Sequence, residues 1–143
     1  MEPRASGPLL AAALMLLPAV PAAESPEAER RAERLAMVRD QIVARGIAHP
    51  GVLEAMRTVP RHELVPEAVR PWAYRDHPLA IGHRQTISQP FIVALMTELL
   101  APEKSHTILE IGTGSGYQAA VLSLLVDRVF SIEIVEPLAV RAA

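Results

Sequence analysis

The chain has 143 residues, half of them apolar and only 3% aromatic, with a net charge of -2 and no cysteine. That length suits one domain, and its core must be built from Leu, Ile, Val, Ala and Met. With no basic run the composition argues against a partner held by nucleic-acid phosphates, and without cysteine it excludes disulfides, thiolate zinc sites and a cysteine nucleophile.

Residues 1–23 differ from the rest. Arg4 is followed by an uncharged stretch from Ala5 through Ala23, whose uninterrupted part, Leu9 to Leu17, is nine residues long. A helix needs about 20 apolar residues to span a bilayer, so no stable membrane anchor is expected. The short apolar run, then Pro18, Pro21 and small residues, reads as a secretory signal peptide, with a cut after Ala22 leaving Val20 and Ala22 at the small-residue positions. Export is the expectation, opposed by a weak n-region in which Glu2 offsets Arg4.

Ser25-Pro26 and Gly46 bracket a helix by their capping preferences. Leu35, Val38, Ile42 and Val43 recur at helical spacing along it, and five acids balance five arginines between Glu24 and Arg45. This reads as a solvated amphipathic helix. "HPGVLEAMRTVP" reads as a second, shorter helix, apolar at Val52, Leu53 and Met56. From Pro60 to Pro90 the chain is punctuated by Pro66, Pro71, Pro78 and Gly82, the pattern of a long functional loop with short helical or strand pieces. "PFIVALMTELL" reads as a third helix with Ile92, Leu95, Met96 and Leu99 on one face.

The pattern then changes to strand ("TILEI"), glycine loop, helix from Tyr117 to Val126, strand ("RVFSIEI") and helix ("EPLAVRAA"). Such alternation is the sign of a parallel sheet with right-handed crossovers, an α/β fold. The five histidines show no HxxxH or HExxH spacing, so no metal site is expected.

Gly112, Gly114 and Gly116 fall between the first strand and its helix, where backbone N–H groups meet the crevice of a doubly wound sheet. The spacing is GxGxG, with Tyr117 where the dinucleotide fingerprint has its third glycine. Glu110, one residue before the strand's end, would repel a phosphate and suits a cation. Glu133 stands at the end of the next strand, 133 − 112 = 21 positions after Gly112, near the spacing at which an acid meets ribose hydroxyls. A ribose, a positive charge and no pyrophosphate describe S-adenosylmethionine. The expected cofactor residues are Glu110, Gly112, Thr113, Gly114, Ser115, Gly116 and Glu133, although the glycines could form a plain turn and Glu133 could simply cap the next helix.

"LEIGTGSGYQAA" resembles the cofactor motif of the protein-L-isoaspartate O-methyltransferase family, class I methyltransferases. The upstream "PLAIGHRQTISQPFIVALMTELL" is similar to a signature of that family, and "VPRHELVP" and "MVRDQIVARGI" resemble its N-terminal helices, so the likeness covers roughly residues 35 to 140. It implies a Rossmann-like, doubly wound methyltransferase sheet, here incomplete, in residues 24–143 after N-terminal helices. It also implies methyl transfer from S-adenosylmethionine to the α-carboxylate of L-isoaspartyl residues in damaged proteins and peptides, by a cytoplasmic protein in most of the family; a monomer is expected. Ser88 matches the serine with the active-site role, while its place before Pro90 would also suit a helix cap. Thr86 and Gln85 are expected beside the substrate or cofactor, and Pro78, Leu79 and Ile81 in packing.

Two departures stand out. Arg84 occupies a position commonly small or Gly, and the chain ends at Ala143, just after the second strand of the cofactor fold. The competing expectations are another small-substrate O-methyltransferase, a non-catalytic fragment, and a nicotinamide dehydrogenase that the glycine spacing disfavours.

Overall fold

The computed structural model describes residues 25–142; the signal-peptide expectation for residues 1–23 lies outside them. Helix α1 (Pro26–Met37) begins where Ser25 accepts the N–H of Ala28 through its hydroxyl at 3.2 Å and Pro26 fills the first turn. The helix runs on through a π turn, Val38–Ile42, and a tighter turn, Val43–Arg45, to Gly46 at φ 95°. The π turn breaks the 3.6-residue register and rotates the residues beyond it about the helix axis. That is why Ile42 is buried while Val43, expected on the same face, is 42% exposed.

Helix α2 (Pro50–Thr58) starts at His49, whose ring nitrogen accepts the Val52 N–H, and it buries Val52, Ala55 and Met56. The proline-rich stretch holds two 3₁₀ turns, Arg61–Leu64 and Glu67–Trp72, and a hairpin of β1 (Leu79–Gly82) and β2 (Gln85–Ile87). The hairpin tip is His83-Arg84 at φ 51° and 59°. Two-residue hairpin turns of this hand need positive φ at both positions, which favours Asn and Gly, so the preference for a small or Gly residue at position 84 has a backbone cause. Leu79 and Ile81 are buried, as expected, whereas Pro78, expected to pack with them, is exposed just ahead of the strand.

Helix α3 (Pro90–Leu99) reverses one expectation. Its buried residues are Pro90, Val93, Ala94 and Thr97, while Ile92, Met96 and Leu99 are exposed. The helix is apolar around most of its circumference, so periodicity could not choose its inward face. At its far end Glu98 accepts the N–H groups of Ala48 and His49 and pins α3 to the start of α2.

Strands β3 (Thr107–Ile111) and β4 (Arg128–Ile132) pair in parallel, joined by α4 (Tyr117–Ser123), and α5 (Glu136–Ala142) comes after β4. Register places Leu109 beside Phe130 and Ile111 beside Ile132. In a parallel pair these four share one sheet face, and all four are about half or more exposed. The core lies instead among α1, α2, the hairpin, α3 and α4, with Met56, Ile81, Val93, Tyr117 and Val121 buried in it. Tyr117 links the two halves of the chain: it is 1% exposed and its hydroxyl faces the Met56 sulfur at 3.7 Å.

Candidate functional site

The loop after β3 has all three glycines at positive φ, 93° at Gly112, 55° at Gly114 and 81° at Gly116. A Cβ at Gly112 would meet nothing within 4 Å, and one at Gly114 would meet only the Ile81 side chain at 3.4 Å and the Gly112 carbonyl at 4.0 Å. Backbone conformation, rather than crowding, therefore demands glycine here.

The loop amides are less bare than sequence alone suggests. Gly112 N–H donates to the Ile132 carbonyl at 2.7 Å, Gly116 N–H to the Thr113 carbonyl at 2.8 Å, and Gly114 N–H to Glu133 at 2.8 Å. A pyrophosphate would find these donors already committed. Glu133 is thus a brace as well as an acid at the strand end: its second oxygen accepts the Val135 N–H at 2.8 Å. These backbone donors hold its carboxyl below the usual range, so it stays ionised.

Glu110 lies on the sheet face opposite Leu109 and Ile111. Its carboxylate accepts from Ser131, which pairs with it across the sheet, and the Ser131 hydroxyl in turn meets Thr113 at 2.6 Å. Burial first, then the charge of Glu133, pushes the Glu110 carboxyl up. A cation bound nearby would reverse that shift. Ser115 faces inward instead: it is buried, and its hydroxyl accepts the Tyr117 N–H at 3.4 Å at the start of α4.

Thr86 and Ser88 reach the same place from β2 and the turn after it. Together with Glu110, Gly112, Thr113, Gly114 and Ser115 they line a cleft of about 60 Å³. A hollow of about 400 Å³ lies alongside, sharing Ser88, Glu110, Gly112 and Gln118 and bounded by Met96, Leu109 and Ile111. The cleft by itself is smaller than ordinary ligand pockets of roughly 300–1,000 Å³; with the hollow it reaches that range. Another hollow, of about 270 Å³ beside α1 and Tyr74, touches none of these residues.

Ser88 does not cap α3. Gln89 takes the N-cap position and no side chain closes it. The Ser88 side chain is exposed and its hydroxyl makes no hydrogen bond among the described residues, so the helix-cap alternative falls away. Gln85 is exposed at the β2 end beside the hairpin tip and does not line the cleft.

Three residues of the site were not legible in the sequence. Gln118, which lines the cleft, donates to Thr97 at 2.8 Å and leaves its buried amide oxygen without a partner among the described residues. Tyr117 is the core anchor that joins the two halves of the chain, and Arg61 lies buried behind Ser88. None of them has a spacing signal, because their neighbours come from distant segments.

A second polar cluster lies away from the cleft. His62, Glu27 and Glu63 bring one ligand atom each within 4.8 Å of one another. Arg34 donates to the Tyr74 hydroxyl at 3.1 Å, so that hydroxyl can give its hydrogen to His62 Nδ1 at 2.7 Å. His62 Nε2 lies 3.9 Å from Glu27 and 4.0 Å from Glu63.

Residues 32–143 match the family described as Protein-L-isoaspartate(D-aspartate) O-methyltransferase (PCMT). The chain is similar to the protein-L-isoaspartate O-methyltransferase of Opitutus terrae, 60% identical over 117 residues, covering 82% of this chain and 50% of the relative. Its likeness to that of Methanospirillum hungatei is 64% over 104 residues, covering 73% of this chain and 48% of the relative. The chain thus spans about half the length of the curated relatives it matches. A solved protein-L-isoaspartate O-methyltransferase superposes with a TM-score of 0.66 at 28% identity, over 78% of this chain and 36% of the other. The fold is shared too with a Plasmodium falciparum protein described as a putative member of that group in complex with S-adenosyl-L-homocysteine, at a TM-score of 0.65 and 24% identity over 76% of this chain and 52% of the other.

Proposed function

The chain belongs to the protein-L-isoaspartate O-methyltransferase family, and from that premise we propose that it serves S-adenosylmethionine-dependent methylation of the α-carboxylate of L-isoaspartyl residues in damaged proteins and peptides. The observation that carries the proposal is the convergence of the Ser88 hydroxyl, uncommitted to any cap, with the glycine loop and Glu110 on one cleft.

The residues fit the cofactor. The positive-φ glycines leave a surface without Cβ atoms, and Glu110 and Glu133 are acceptors suited to an ammonium and to hydroxyls, while the three glycine amides are taken up internally. When bound, adenosylmethionine supplies a methyl group on a good sulfonium leaving group. Glu133 and Glu110 would hold its polar ends and Gly112 to Gly116 would lie against it.

The substrate carboxylate is already an anion at neutral pH, so no side chain has to act as a strong general base. Rate must come from alignment and exclusion of water. Ser88 donates its hydroxyl hydrogen to one carboxylate oxygen and sets the direction of the other. Thr86 lines the same wall, and Gln85 stands at its outer end. Among the described residues no helix is long and apolar enough to cross a membrane, and we propose export on the pattern of residues 5–23 alone. Fusion of residues 1–30 to a reporter active only outside the cytoplasm tests this; a silent, uncleaved reporter returns the protein to the cytoplasm.

Methyl transfer is tested with labelled adenosylmethionine and an isoaspartyl peptide, beside the normal aspartyl peptide and free small acids. Both this chain and a chimera continuing it with the C-terminal half of a curated relative are assayed. Transfer confined to the isoaspartyl peptide supports the proposal; labelling of small acids instead favours another O-methyltransferase, and no transfer by either protein refutes it.

A further inference from the structure

We propose that Arg61 is a positioning residue for this reaction, one that fixes the backbone of Ser88 and ties it to the glycine loop. The inference rests on the catalytic reading of Ser88. Arg61 is fully buried. Its Nε donates to the Ala73 carbonyl at 2.7 Å and its Nη2 to the Ser88 carbonyl at 2.8 Å. Its guanidinium carbon lies 4.7 Å from the centre of the Tyr117 ring, within the range of a cation–π contact. Tyr117 directly succeeds Gly116 and opens α4. One side chain therefore touches both walls of the cleft.

The charge is unusual for a structural role. Its electrostatic neighbours are the phenols of Tyr117 and Tyr74 rather than a carboxylate, and burial pulls the guanidinium down to about 10. Nη1 has no hydrogen-bond partner among the described residues. A buried cation without a counter-ion is costly to keep. What it provides is a charge-assisted hydrogen bond to a carbonyl that leaves the Ser88 hydroxyl untouched. With the Ser88 backbone held on one side and Tyr117 on the other, the distance from the hydroxyl to the glycine loop is set by a single rigid plane. Lysine keeps the charge but has no fork to serve two carbonyls and no plane to stack.

Native-state amide exchange with increasing urea, on the chain itself, reads the coupling directly. Residues 86–89 and 113–117 are expected to open as one unit in the wild type, and to exchange faster together in Arg61→Lys while α1 and α2 keep their protection. Independent opening of the two segments in the wild type overturns the coupling, whatever the variants do. In methyl transfer, Arg61→Lys is expected to lower kcat by about 100-fold, the scale of a 1 Å misplacement, with KM for adenosylmethionine nearly unchanged. A Lys variant with wild-type kcat, or a loss of stability with unchanged kcat per folded molecule, makes Arg61 merely structural and overturns the positioning role. If the wild-type chain and the chimera both transfer no methyl, the proposed function fails, and the exchange result still decides the link between the two segments.

Discussion

Replacing Ser88 with Ala separates catalysis from folding, because the structure assigns them to different atoms of the same residue. The carbonyl accepts from Arg61, and Ala keeps a carbonyl. The side chain is exposed and does not cap α3, so stability should move by no more than about 0.5 kcal/mol, as for an ordinary surface change. Had Ser88 been the cap, the loss would be about 1 kcal/mol. The missing hydroxyl is a donor to a charged acceptor, worth about 1.5–3 kcal/mol. Counted wholly at the transition state, that is a fall in turnover of roughly 10- to 160-fold. The figure lies below the roughly 2.7–4 kcal/mol seen for a donor to a developing oxyanion, since this nucleophile carries its charge in the ground state. The assays are methyl transfer to an isoaspartyl peptide by the chimera, calorimetric binding of adenosylhomocysteine, and urea unfolding of the chain. Ser88→Asp adds a repelling charge where the substrate carboxylate must sit and should abolish turnover. A folded Asp variant with full methyl transfer would refute the assignment of Ser88.

Gly114→Val forces a β-branched residue to φ 55°, and Glu133→Ala removes the acceptor of the Gly114 and Val135 amides; both should weaken adenosylhomocysteine binding by calorimetry, and unaltered affinity in both would remove the glycine loop from the cofactor site. Arg84→Gly relieves a left-handed residue at the hairpin tip and is expected to raise stability by about 0.5–1 kcal/mol, the left-handed penalty less the added freedom of glycine in the unfolded chain. A lowered urea midpoint would contradict it. His62 is held below its ordinary value of 6.5, chiefly by burial, so its contribution is fully present above pH 6.5 and is lost as pH falls below it. The shifts at Glu98 and Glu133 start from 4.5 and act only at lower pH. Glu110 is shifted the other way, up from 4.5, so its protonation adds stability as pH falls. Stability should therefore fall off more steeply below pH 6.5 in the wild type than in His62→Gln; the same decline in both would assign the effect elsewhere.

Local signals in the chain determined what local physics controls. Ser25, Pro26 and Gly46 marked the first helix because capping depends on backbone groups only a turn away. β3, the three positive-φ glycines and β4 were legible because a strand, a tight turn and a crossover helix each leave a short-range pattern. Glu110 and the glycines could be nominated for the same reason, Ser88 and Thr86 came from the resemblance of their run to a family signature, and the fold brings all of these but Gly116 to one cleft. Tertiary structure alone decided the rest. The face that α3 buries could not be read from a helix apolar on most sides, and the exposure of Val43 comes from a π turn that no periodicity announces. The bond from Gly114 to Glu133 and the bond from Arg61 to Ser88 join residues 19 and 27 positions apart. Such contacts depend on how separate segments pack. No spacing rule along the chain encodes where a buried arginine will find its carbonyls.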